Sequence, residues 1–302
     1  MLFLRVLTLF LFFCLFISRI WAGDTLRVVF TGDLLLDRGV RRMIQYHGAD
    51  WLFSQSIDSI FANNEIVVAN LECPITDIRQ SINKRFVFCG DPSVLPVLKR
   101  HGITHLNLAN NHSIDKGRDG LVDTRNNIIK NGMTPVGFGD NSIEASCPLL
   151  ISSTPRNVYL LSSLLVMSEN YAYLPDKPCI NEATINQLCD TIRRLKYSKP
   201  GALVIVCLHW GVEHTLHPTT QQRCNARQLV DAGADAVIGH HTHTAQDVEI
   251  YEGKPIYYSL GNFIFDQSKP MNTKAILAEF VITNNSVITH TIPVLIENCK
   301  PE

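Results

Sequence analysis

The sequence predicts an α/β fold, a helix-covered sheet with a second, mostly antiparallel sheet packed against it. Three observations carry this. Short apolar, strand-like segments alternate with amphipathic helical periods from about residue 26 to residue 240. After residue 248 the pattern changes to strands and turns alone. The 302 residues are 46% hydrophobic and 18% charged, a composition that suits a large buried core.

Taken in order, residues 1–22 stand apart. Met1 to Arg5 makes a short basic start, Val6 to Ile17 is almost wholly apolar, and Trp21-Ala22 precedes polar Gly23-Asp24. This is the form of a secretory signal peptide or, if it is retained, of an N-terminal anchor. Its apolar run is shorter than the roughly 20 residues of a spanning helix. Residues 24–302 read as one domain. Strands are expected at Leu26–Phe30, Ile66–Ala69, Leu106–Leu108, Leu203–Val206 and Ala236–Ile238. Helical spacing joins Leu121 and Val122 to Ile128 and Ile129, and runs through Ile185, Leu188, Ile192 and Leu195. The later strands are Val248–Tyr251, Pro255–Ser259, Ile276–Ile282 and Val287–Ile292, assigned to the second sheet.

Charge and cysteine content narrow the function. Twenty-seven basic residues balance 28 acidic ones, so no global field points to nucleic acid, and none is expected as a partner. Export permits disulfides, and eight of the nine cysteines lie beyond the leader, so one or two disulfides are expected. The absence of Cys-x-x-Cys argues against a zinc ribbon or a thioredoxin-like site. Cys207, in a buried-looking strand, reads as a small hydrophobe.

Chemistry gathers where the strands end, because ligands of open α/β sheets bind beyond the carboxyl ends of the strands. These ends are Thr31-Gly32-Asp33, Asn70-Leu71-Glu72, Ala109-Asn110-Asn111-His112, His209-Trp210-Gly211 and Gly239-His240-His241-Thr242-His243. In an extended loop His241 and His243 point to similar sides, which suits a shared ion. The candidate ligands are therefore Asp33, Glu72, Asn111, His209, His241 and His243, with His112 beside them. Carboxylate, amide and imidazole together suit one or two divalent transition ions, Mn, Fe, Co or Zn, better than a calcium site built of oxygen. Glu72 is the candidate bridge between two ions. Arg38 offers a fork for a carboxylate or phosphate, and Asn262 a substrate-facing amide. Asp37, Glu213 and His214 are candidate supporting groups.

In order along the chain, Gly32-Asp33, Asn70-Leu71-Glu72, Leu108-Ala109-Asn110-Asn111-His112-Ser113 with Asp115 and Gly117, His209-Trp210-Gly211-Val212-Glu213, Gly239-His240-His241-x-His243 and Tyr258-Ser259-Leu260-Gly261-Asn262-Phe263 resemble the CapA family of bacterial capsule and poly-γ-glutamate synthesis. The resemblance spans about Arg27 to Asp266. It implies the fold of the calcineurin-like metallophosphoesterases, two packed mixed β-sheets flanked by helices in a four-layer αββα sandwich. By motif, Asp33 takes the place of the opening aspartate ligand and Glu72 that of the bridging aspartate. Asn111, His209 and His241 hold the second ion, His243 returns to the first, and His112 is the general acid.

Two departures stand out. The metallophosphoesterase pattern's Asp-x-His is here Asp33-Leu34-Leu35, and the bridging residue is a longer glutamate. Two functions follow as expectations. One is an exported metal-dependent hydrolase acting on an anionic polymer such as poly-γ-glutamate, at a phosphoester or a γ-glutamyl amide. The other is a non-catalytic metal-binding component of a capsule synthesis and export assembly, with membrane proteins of that assembly as partners. Fold and family alone do not decide between them.

Overall fold

The computed structural model describes residues 25–302, so the expected leader at 1–22 lies outside the described residues. β1 (Thr25–Leu34) leads into α1 (Arg38–His47), α2 (Gln55–Ala62), β2 (Ile66–Leu71), α3 (Leu95–Arg100), β3 (His105–Asn107), α4 (Gly117–Lys130) and β4 (Thr134–Val136). Next come β5 (Phe138–Gly139), α5 (Ser142–Ala145), β6 (Leu149–Ser152), β7 (Val158–Leu164), β8 (Cys179–Ile180), α6 (Ile185–Ser198), β9 (Leu203–His209), α7 (Thr220–Asp231) and β10 (Ala236–His240). The chain closes with β11 (Val248–Tyr251), β12 (Lys254–Tyr257), β13 (Asn262–Ile264), β14 (Lys274–Thr283), β15 (Val287–Glu297) and β16 (Lys300–Pro301).

Two mixed sheets result, beside a small β5-β8 pair. One is ordered β16-β15-β14-β1-β2-β3-β4 with β13 added beside β1, and the other β11-β12-β10-β9-β7-β6. Strand alternation sorts the side chains into layers. Val28 and Phe30 enter a core between the sheets shared with Leu160, Ile205, Cys207 and Ile238. Val29 and Val67 face the other way, into a core with Val40, Leu98, Leu121 and Ile128 from the helices. On the far side, Val204, Val206 and Val237 share a core with Leu188, Ile192 and Leu229 of α6 and α7. The four layers are therefore helix, sheet, sheet, helix. α6 and α7 each begin at a threonine capping box, Thr184 with Gln187 and Thr219 with Gln222, which satisfies backbone donors at the exposed helix start.

The separate antiparallel sheet expected after residue 248 does not form. β11 and β12 extend the sheet of β9 and β10, whereas β14 pairs antiparallel with β1 from Thr25 to Phe30 and carries β15 with it. In this arrangement β14 covers the edge of β1 that β2 leaves open. The early strands are divided as well, with β1, β2 and β3 in one sheet and β9 and β10 in the other. β7, which the sequence reading does not anticipate, lies parallel to β9 in the second sheet. Its Ser162-Ser163 pair breaks the apolar run, and both hydroxyls find partners, Asn107 Oδ1 and the Ala183 carbonyl.

The disulfide expectation also fails, because all eight cysteines of the described residues are free. Cys207 is fully buried in the core between the sheets, as a small hydrophobe is. No helix of the described residues is long and apolar enough to cross a membrane.

Candidate metal centre

Strand ends from both sheets converge on one buried cluster. β1 shifts register against β2 between Phe30 and Asp33, and this irregularity turns the Asp33 carboxylate inward. Gly32 allows it, since a Cβ there would lie 2.0 Å from the Gly261 carbonyl oxygen. Gly239 plays the same part at the end of β10, where a Cβ would lie 1.9 Å from the Tyr258 carbonyl oxygen. The loop beyond it is not extended as expected. His241 and His243 both have positive φ, 93° and 57°, an uncommon state for histidine. That backbone sends the two imidazoles to different halves of the cluster.

In one half, His243 Nδ1 lies 3.2 Å from Asp33 Oδ2, and His243 Nε2 lies 3.8 Å from Glu72 Oε1. In the other, His209 Nε2 lies 3.1 Å from His241 Nδ1, 2.9 Å from Asn111 Oδ1 and 3.8 Å from Glu72 Oε1. Two groups of potential metal ligands thus share Glu72: Asp33, Glu72 and His243, and Glu72, His209 and His241. All five residues are buried.

The electrostatics follow from that burial. Glu72 is pushed well above the ordinary carboxyl range, first by burial and then by the charge of Asp33. Burial alone would raise Asp33 too, but the hydrogen bond and charge of His243 outweigh it and hold the carboxyl low. His209 is driven well down by burial and by the neighbouring imidazoles, and His241 to about 4 by burial and His243. Burial would also lower His243, yet the Glu72 charge and the Asp33 hydrogen bond bring it to about 9.

Whether a cation suits this chemistry is tested by Glu72 itself. Both of its carboxylate oxygens are buried without any hydrogen-bond partner among the described residues. An ionised carboxylate left in that state is costly, and a second carboxylate beside it makes the site worse. Imidazole nitrogens and an amide oxygen complete a donor set for divalent transition ions. The residues fit such ions.

Surrounding side chains hold the cluster. Asn70 Nδ2 donates to Asp33 Oδ1 at 2.8 Å and stands 3.3 Å from His209 Nδ1, while Asn70 Oδ1 accepts from Asn107 Nδ2 at 2.9 Å. His112 donates from Nδ1 to Asp115 Oδ2 at 2.8 Å and stacks on Phe88 at 4.2 Å between ring centroids. Burial lowers its pKa against the opposing pull of Asp115. Lys84, only 2% exposed along its side chain, donates to Asp115 Oδ1 at 3.0 Å and to the Asn111 carbonyl at 2.6 Å.

Asp33, Glu72, Asn111, His209, His241 and His243 are thus brought together, with His112 alongside. Asn262 is not presented to the cluster as a substrate-facing group, and Arg38 stands at the cluster's edge, partly exposed, over the Phe88 ring that stacks on His112. The Arg38 fork is engaged by Asp266, with its guanidinium over Phe88 and Phe265. Asn262 is buried, and its Oδ1 lies 3.0 Å from His243 Nδ1, so it orients that ring. Asp37 caps α1 and pairs with Arg41 rather than supplying a ligand. Glu213 is exposed, and His214 Nδ1 accepts from Asn272. The sequence reading left Asn70 and Lys84 out of the site. Asn70 had a signal, because it stands two residues before Glu72 and alternation puts the pair on one side. Lys84 had none, since it sits in an irregular stretch between β2 and α3.

Residues 27–267 match the family described as Bacterial capsule synthesis protein PGA_cap. The chain is 31% identical over 288 residues to the PGA biosynthesis protein CapA of Bacillus subtilis (strain 168), covering 90% of this chain and 75% of that one. It is 28% identical over 287 residues to the capsule biosynthesis protein CapA of Bacillus anthracis, covering 93% and 70%. Among solved structures, the NAD nucleotidase NadN of Haemophilus influenzae aligns with a TM-score of 0.56 and 9% identity over 90% of this chain and 50% of that chain. At such identity the likeness is one of fold, the metallophosphoesterase-like sandwich.

Proposed function

The chain belongs to the bacterial capsule synthesis family PGA_cap, and on that premise we propose that it serves poly-γ-glutamate capsule synthesis or processing as an exported, metal-dependent hydrolase of an anionic polymer. The carrying observation is the buried Glu72 carboxylate, without a partner among the described residues and shared by two potential ligand groups, with a histidine–aspartate pair beside it. Asp33, Glu72 and His243 would hold one ion; Glu72, His209, His241 and Asn111 would hold another. When bound, divalent transition ions supply Lewis acidity toward a phosphoryl or carbonyl oxygen.

The chain's own groups do the rest. Asn70 and Asn262 orient Asp33 and His243, and Lys84 fixes the Asn111 carbonyl and Asp115. Asp115 holds His112 by its Nδ1–H, which leaves Nε2 to carry a proton to a leaving oxygen. A second reading, a non-catalytic metal-binding component of a capsule assembly, draws on one observation. Leu35, standing where the metallophosphoesterase pattern has a histidine, is fully buried in the core and offers no ligand.

Elemental analysis of the purified protein, combined with hydrolysis of a generic phosphodiester and of γ-linked glutamate oligomers, separates the two. One or two bound transition ions with turnover, and loss of turnover but not of metal in His112→Ala, support the hydrolase. Bound metal with no turnover on either substrate overturns it in favour of the assembly component.

A further inference from the structure

One cavity of about 550 Å³ lies next to the candidate centre but belongs to none of its proposed ligands. Its walls are one face of α1, the turn after β13, and the turn between β15 and β16. The wall nearest the centre is shared. Gln267 Oε1 accepts from Asn262 Nδ2 at 3.1 Å, and Asn262 is the residue that orients His243. Asp266, in the same wall, binds Arg38 and the Gly39 backbone N–H. Gly39 lets α1 close against this turn, since a Cβ there would come within 2.5 Å of Asp266 Cβ.

The polar side chains of the cavity rim, Arg42, Glu297 and Asn298, are exposed and, unlike the neighbouring arginines of α1, free to meet a ligand. On α1, Arg38 is paired with Asp266 and Arg41 with Asp37, but Arg42, which faces the cavity, has no ion-pair or hydrogen-bond partner among the described residues. Across from it, the side chains of Glu297 and Asn298 likewise make no hydrogen bond among the described residues. Asn298 and Cys299 both hold positive φ, 51° and 73°, as the two central residues of the β15–β16 hairpin turn that forms the rim. Met43 and Ile296 supply the apolar part of the wall.

We propose that this cavity is a polymer subsite, in which Arg42 takes the α-carboxylate of a γ-linked glutamyl residue while Glu297 and Asn298 take the adjoining amide. The assignment rests on the polyglutamate reading above. A γ-glutamyl chain repeats one free carboxylate beside each amide and carries methylene groups between them. A lone anion suits the cavity less well, because Glu297 would repel it, whereas an amide N–H gives that carboxylate a donor to accept from. Guanidinium is the group for a planar, two-point grip on a carboxylate. The shared wall then places the subsite beside the candidate centre, with the Gln267 and Asn262 side chains between it and His243.

The test is calorimetric binding of a γ-linked glutamate decamer and dimer to the metal-loaded protein and to Arg42→Glu and Arg42→Lys, with melting temperature and metal content measured for each. Arg42→Glu should weaken decamer binding about tenfold or more, as loss of a charged hydrogen bond does, and weaken dimer binding no more than that, since the dimer offers the same carboxylate and amide. Arg42→Lys should fall between and keeps the test available if the reversal fails to fold. Decamer affinity within twofold of wild type in both variants overturns the subsite while the polyglutamate reading stands. Failure of the wild-type protein to bind the decamer overturns both.

Discussion

Replacing Lys84 by Met removes a cation that no sequence pattern marks as lying near the centre. Its ammonium is buried with Asp115, the two side chains being 2% and 0% exposed, and it donates to the Asn111 carbonyl as well. Breaking a buried pair from one side leaves the other charge uncompensated, which costs about 3–5 kcal/mol. Asp115 keeps two donors, the Phe88 N–H at 2.8 Å and His112 Nδ1, so the lower end of that range applies, about 3 kcal/mol. For a domain of this size that is a fall in melting temperature on the order of 5 °C. Urea unfolding of Lys84→Met, Asp115→Asn and the double variant measures it, with equal m-values required for the comparison. The double variant should be less destabilised than the sum of the singles, because it no longer buries an unpaired charge. A loss below about 1 kcal/mol in Lys84→Met, the range of an exposed pair, refutes the reasoning.

Two further predictions test the centre and the fold. In metal-free protein Glu72→Gln should hold or raise the melting temperature, since it removes a buried carboxylate lacking partners, and it should abolish the stabilisation by added Mn or Zn, which for the wild type reaches about 2.7 kcal/mol at a hundredfold excess over Kd. An unchanged metal increment in that variant, read by thermal melts, would falsify the bridging role. Burial, with Lys99 adding to it, lowers His105 from 6.5 to about 4, so it stays neutral in the fold and takes a proton first in the unfolded chain. Stability is therefore complete above pH 6.5, declines as pH falls toward 4 and then levels, by at most about 3 kcal/mol at ~1.36 kcal/mol per tenfold in proton affinity. His105→Gln should flatten that decline in urea midpoints taken at pH 7, 5 and 4, and an unaltered slope assigns it to other groups.

Much of the site was legible because its chemistry is local. A carboxylate, an amide or an imidazole directly after an apolar run marks a strand end, and Asp33, Glu72, Asn111, His209, His241 and His243 all follow that rule. The helix of Ile185, Leu188, Ile192 and Leu195 was legible for the same reason, since spacing along one segment sets its buried face. Arg38 and Asn262 were read for their hydrogen-bonding capacity, which the sequence shows, but not for their partners, which it does not. Asp266, 228 residues from Arg38, takes the guanidinium fork.

By itself, then, the sequence determined that this is an α/β protein with candidate metal-ligating side chains at successive strand ends. Tertiary structure alone decided which strands share a sheet, that the last strands are divided between the two sheets, and that Lys84 comes to lie under His112. The physical reason is range. Residue type and periodicity act within a few positions, whereas a strand's neighbours and a buried charge's partner depend on which distant segments cover open edges and compensate one another in the core.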